Sequence, residues 1–147
     1  MVVRDVLLAS SESDSCLVII AENSLLSEME TFIGASRSVA VFESVTNGSR
    51  LSEIVTRARQ VRVASWMVVV VVVSDDPVFL AAFAQQAREG RLLVWATRLI
   101  VVSRRSPHGL QPLHQTLAFT NSLLLLVDGT MGMSRCVAAS LWKLCCT

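Results

Sequence analysis

Two aspartates, Asp75 and Asp76, follow directly on a run of six valines, Val68 to Val73, and are the residues best placed for chemistry in this 147-residue chain. Paired carboxylates at the end of an apolar strand can hold a divalent cation or move a proton, as in receiver-type α/β domains. The order Ser74-Asp75-Asp76-Pro77 has a plainer meaning as well. Ser74 or Asp75 can accept hydrogen bonds from the first turn of a helix, a carboxylate there suits the helix dipole, and Pro77 suits the first helical position because no amide donor is lost. Capping accounts for all four residues, and no catalytic residue is assigned.

The other reactive side chains are scattered. Cys16, Cys136, Cys145 and Cys146 have neither C-x-x-C spacing nor a histidine nearby in sequence, since the two histidines are His108 and His114. They therefore lack the ligand spacing of a zinc site. A disulfide from Cys16 to a late cysteine requires an oxidising compartment, and buried free thiols are the favoured reading. The histidines stand in or beside a loop with no nucleophile partner, and no G-x-S-x-G elbow occurs. Neither the dinucleotide fingerprint nor the G-x-x-x-x-G-K-[ST] loop is present, so no nucleotide cofactor of those kinds is expected. Arg104-Arg105-Ser106-Pro107 reads as a solvated turn rather than a processing or kinase site. Asn47-Gly48-Ser49 is an acceptor triplet for glycosylation in a predicted loop, meaningful on an exported chain. Trp66, Trp95 and Trp142 read as bulk that packs the sheet.

The elements that must position these residues are written in apolar runs. Hydrophobic residues make up 52% of the chain and charged residues 17%, against ordinary values of about 45–50% and about 25%. Most elements are therefore buried on more than one side. The net charge of +1 gives no electrostatic argument for nucleic acid or an anionic membrane. The run from Ala64 to Val73 is about half the roughly 20 residues a spanning helix needs, and its lack of alternation marks an inner strand of a parallel sheet covered on both faces.

Around it, "CLVIIAE" (16–22), "SVAVFE" (38–43), "TRLIVVS" (97–103) and "NSLLLLVD" (121–128) read as strands, with "RLLVW" (91–95) continuing the sheet. Helices are predicted over "LLSEMETFI" capped by Ser24 and closed by Gly34, over "RLSEIVTRARQV" (50–61) after the loop "TNGS", over "VFLAAFAQQARE" closed by Gly90, and over "LQPLHQTLAF". Val2 to Ala9 is a further short helical stretch, and "MSRCVAASLWKLCC" begins a last strand. The alternation predicts an α/β fold: an open, doubly wound, mostly parallel sheet with helices on both faces, as a single domain. An ill-defined segment, 1–15, precedes the layer at 16–136, and a divergent tail, 137–147, follows it. The first residues lack the 7–15-residue apolar core of a secretory signal, so the chain as written is expected to stay in the cytoplasm.

The segment "VVVVVVSDDPVFLAAFAQQAREGRLLVWATRLIVVSRRSPHGLQPLHQTLAFTNSLLLLVDGTMGMSRC", residues 68–136, resembles the amino-terminal extracellular region of arthropod ionotropic receptors. These are variant relatives of the ionotropic glutamate receptors, greatly expanded in crustaceans. The shared order is a hydrophobic strand, "SDDPVFLAAFA" opening a helix, "GRLLVWATRLIVVSR" leading into a strand, "LHQTLAFTNSLLLLVD" with another strand, then "RC". With the weaker part at 16–67 the likeness covers most of the chain. It implies a non-catalytic α/β layer that precedes the ligand-binding lobes of a ligand-gated ion channel in chemosensory or related signalling. Such a layer acts in assembly or modulation, on the extracellular side of the membrane. The partners implied are other receptor subunits or the rest of the receptor; Asn47 is then a possible glycosylation site, and no cofactor, metal or nucleic acid is implied. The signal peptide, lobes, pore and spanning helices of that family have no counterpart here, and "VAASLWKLCCT" departs from its continuation. The alternatives are an intracellular receiver-like module or small enzyme using Asp75 and Asp76, and a truncated gene product without a role of its own.

Overall fold

The computed structural model describes residues 15–21, 39–43, 48–110, 113, 117, 120–127 and 134–138. Six strands are described: β1 (Ser15–Ala21), β2 (Val39–Glu43), β3 (Met67–Val73), β4 (Thr97–Ser103), β5 (Ser122–Val127) and β6 (Ser134–Ala138). They form one sheet in the order β2-β1-β3-β4-β5-β6. The first five are parallel throughout, and β6 joins β5 antiparallel. Among the described residues two α-helices connect strands, α1 (Gly48–Ala64) between β2 and β3 and α2 (Pro77–Glu89) between β3 and β4.

The chain steps one way from β1 to β2 and the other way through β3, β4 and β5. Right-handed crossovers send these two directions over opposite faces of a parallel sheet, which is the doubly wound α/β arrangement expected from sequence. The valine run sits at its centre. Val68, Val70 and Val72 join Leu51, Val55, Leu80, Phe83 and Leu92 in a core under α1 and α2. Val69 and Val71 point the other way, into a second cluster with Leu17, Ile19, Ile100 and Leu125. All five valines are at most 3% exposed. Complete burial of one such side chain stabilises by roughly 1.5–3 kcal/mol, an upper figure because the unfolded chain is not fully extended. Alternation would leave one face wet, so an unbroken apolar run is the composition this position demands.

Boundaries differ from expectation at α1 and after α2. Helix α1 takes in Gly48 and Ser49, which the sequence assigned to a loop, and runs on to Ala64. "RLLVW" is no strand: the amides of Leu92 and Leu93 both donate to the Ala87 carbonyl, folding the chain tightly against the end of α2. The Leu92 side chain plugs the core while Thr97 Oγ1 donates to the Leu92 carbonyl at 2.7 Å, so the strand starts only at Thr97. Gly90 closes α2 as expected, though not through a left-handed conformation, since its φ is −74°. A Cβ there would meet Val55 Cγ1 at 2.8 Å and the Gln86 carbonyl at 3.0 Å, so close approach of α1 selects glycine. The left-handed residue is Arg91, with φ 54°.

Leu110, Leu113 and Leu117 belong to the first core cluster, in or near the predicted helix "LQPLHQTLAF", whose other residues mostly lie outside the described ones. The predicted helices at 2–9 and 25–33, with Ser24 and Gly34, lie outside them entirely. Among the described residues no helix is long and apolar enough to cross a membrane.

Candidate functional site

An open parallel sheet binds its ligands at the carboxyl ends of the strands, in the crevice where the winding direction reverses. Here that point lies between β1 and β3, and Ser74, Asp75 and Asp76 follow β3 directly. The residues after β4 stand beside them: Val73 is the register partner of Val102, so two residues further on Asp75 stands level with Arg104.

Each group in this cluster has a structural partner. Asp76 is the N-cap of α2, its Oδ1 accepting from the Val78 amide at 2.9 Å, with Pro77 at the start of the helix. The Ser74 hydroxyl, fully buried, accepts from the Asp76 amide at 3.1 Å and holds the cap residue in place. Asp75 does not cap the helix. Its Oδ1 accepts from the Arg104 amide at 2.7 Å and from Ser103 Oγ at 3.4 Å, and its Oδ2 pairs with Arg104 Nε at 3.1 Å. Arg105 Nε donates to the Asp75 carbonyl at 2.9 Å, and the Arg105 amide donates to Ser103 Oγ at 3.2 Å. The sequence thus named the capping function correctly and placed it on the wrong side chains: Asp76 caps, and Asp75 ties the end of β3 to the end of β4. Arg104 and Arg105, read from sequence as a solvated turn, are the other half of that tie. Register was the only signal that could have found them, and register is not written in any single segment.

A shallow groove lies further along the same edge, lined by Phe42 and Glu43 at the end of β2 and by Arg50, Glu53, Ile54 and Arg57 on α1. Glu53 and Arg57 form an exposed ion pair at 2.6 Å across one helical turn. Such a pair contributes about 0.3–0.5 kcal/mol, and the groove combines both charge signs without a nucleophile.

The remaining candidates are not brought together. Among the described residues no group of three His, Cys, Asp or Glu side chains could hold a metal ion. His108 is exposed in a 3-10 turn at Pro107–Leu110. Cys16 is buried in β1, and Cys136 lies in β6. Asn47, His114, Trp142, Cys145 and Cys146 lie outside the described residues. Trp66 and Trp95 overturn their expected role as packing bulk, because each is 82% exposed. They stand just before the amino-terminal ends of β3 and β4. No protein-family model and no curated protein matches this chain.

Proposed function

We propose that this chain is the non-catalytic amino-terminal α/β domain, or a fragment of it, of a ligand-gated ion channel of the ionotropic receptor kind. In that reading it is an assembly or modulatory module. Its partners are other receptor subunits or the remainder of its own receptor, on the extracellular side of the membrane. The receptor half of the reading is supported by the resemblance of residues 68–136. The non-catalytic half is carried by one observation, that the carboxylates of Asp75 and Asp76 are both engaged in bonds that hold the fold.

A cation or phosphoryl chemistry at this edge would compete with the bonds from Asp76 to the start of α2 and from Asp75 to Arg104. A receiver-like or enzymatic role for the pair therefore works against the stability of the domain that presents it. The module reading has no such conflict.

Sequencing the full-length transcript that contains this reading frame tests the proposal. An upstream signal peptide with downstream ligand-binding lobes and membrane helices is the expected result. Start and stop codons bracketing 147 codons would overturn the channel reading and leave either an α/β protein of another role or a truncated gene product.

A further inference from the structure

The amino-terminal rim of the sheet, opposite the aspartates, carries chemistry that nothing above uses. Trp66 lies two residues before Val68 and Trp95 two before Thr97, and Val68 and Thr97 are register partners, so the two tryptophans stand level on neighbouring strands. Strands in a sheet are about 4.8 Å apart. The Val68 amide bonds the Ala96 carbonyl at 3.3 Å, tying the two approaches together at that rim. Both helices also end there. Ala64 of α1 leads through Ser65 into Trp66, and Glu89 of α2 leads through a short turn to Trp95. Val63 on the last turn of α1 is 73% exposed.

The same two helix ends carry arginines: Arg59 and the half-buried Arg62 on the last turns of α1, Arg88 on the last turn of α2, and Arg91 just beyond it. None of the four forms an ion pair with a described residue. Glu89, which accepts from Gln85 Nε2 at 2.9 Å, is the acidic residue of these two helix ends. Among the described residues, the ends of the two helices thus carry four arginines against one glutamate.

We propose that this rim docks on an anionic lipid bilayer surface, with Val63, Trp66 and Trp95 entering the headgroup region and Arg59, Arg62, Arg88 and Arg91 contacting lipid phosphates. Charge complementarity requires an anionic partner and rules out the same face of a second copy, where arginine would meet arginine. Shape selects among anionic partners. Peptides and single-stranded nucleic acids are held in grooves, whereas these apolar side chains protrude. A protruding indole suits a fluid interface, where its apolar body is buried and its N–H stays wet, and guanidinium forks match phosphate oxygens in pairs. The inference is independent of the receptor reading, since any protein with this rim would behave alike.

The test is co-sedimentation of the full chain with vesicles of phosphatidylcholine, with and without phosphatidylserine, read alongside intrinsic tryptophan fluorescence. Binding to the anionic vesicles, a blue shift, and weakening on added salt are expected. The double variant Trp66→Ser/Trp95→Ser, at positions too exposed to affect folding, should lose the shift and about tenfold or more in partitioning. Arg59→Gln/Arg88→Gln/Arg91→Gln should lower it by roughly a hundredfold. Absence of binding overturns the proposal. So does binding indifferent to the tryptophans, tighter binding of a single-stranded oligonucleotide than of vesicles, or tryptophan-dependent self-association in place of vesicle binding.

Discussion

Asp75, two residues past the β3 partner of Val102, holds Arg104 twice, through its backbone amide at 2.7 Å and through Nε at 3.1 Å. An acceptor that satisfies a backbone donor and a side-chain donor of one residue fixes both its position and its direction. The two central strands are thereby locked in register at their carboxyl ends, beyond the last ladder bond.

Removal of that acceptor should therefore weaken the fold. Asp75→Ala is expected to lower stability by about 1–2 kcal/mol, and Asp75→Asn by less because an amide oxygen still accepts. Arg104→Ala should change it by only about 0.5 kcal/mol: the side chain is 53% exposed, the ion pair is screened, and the backbone bond survives. Urea midpoints at unchanged m-value measure all three, and an Arg104→Ala effect equal to that of Asp75→Ala would contradict the backbone assignment.

Asp76 acts on a different element. Asp76→Ala should destabilise by about 1 kcal/mol through loss of the N-cap on Val78, and Asp76→Ser or Asp76→Asn should retain most of the stability because those side chains cap as well. Thermal melts of the three variants decide this. Equal losses in all three would mean that the negative charge, rather than the cap, is what the site requires.

Gly90 reports the packing of α1 on α2. Gly90→Ala places a methyl group against Val55 Cγ1 and should cost about 1–3 kcal/mol. Val55→Ala removes the obstructing carbon, so the double variant should be clearly less destabilised than the two single losses together. A double-mutant cycle with no coupling would show that the clash is relieved elsewhere.

The valine run makes a claim about both faces of the sheet. Val70→Thr and Val71→Thr keep the shape and add a hydroxyl on opposite faces, each in a position with no exposed surface. Each should cost about 1–3 kcal/mol for an unsatisfied buried hydroxyl. Tolerance at Val71 alone, seen as an unchanged unfolding midpoint, would mean that water reaches the second face.

These sites differ in how far the linear sequence announces them. Burial is a local property of composition, so Val68–Val73, "CLVIIA" and "SLLLLV" declare inner strands without alternation, and Pro77 and Gly90 mark the ends of a helix. Pairing is not local. The tie between Asp75 and Arg104 and the level placement of Trp66 and Trp95 both follow from one register, Val68 against Thr97, which no motif encodes. "RLLVW" was misread because its apolar residues look like a strand while Leu92 alone enters the core, and the tryptophans because aromatic bulk beside a strand usually packs. Charge placement is not local either, since arginines that are separate in sequence gather where two helices end.

The central claim is that the carboxylates of the switch point are structural, and a magnesium titration of thermal unfolding addresses it most directly. A carboxylate cation site would raise the melting temperature along a saturable curve, by linkage, and Asp75→Asn would abolish that rise. The account predicts no saturable shift in the parent chain, with Asp75→Asn and Asp76→Asn melting alike in the presence and absence of the ion. A saturable stabilisation that disappears with either substitution would contradict it.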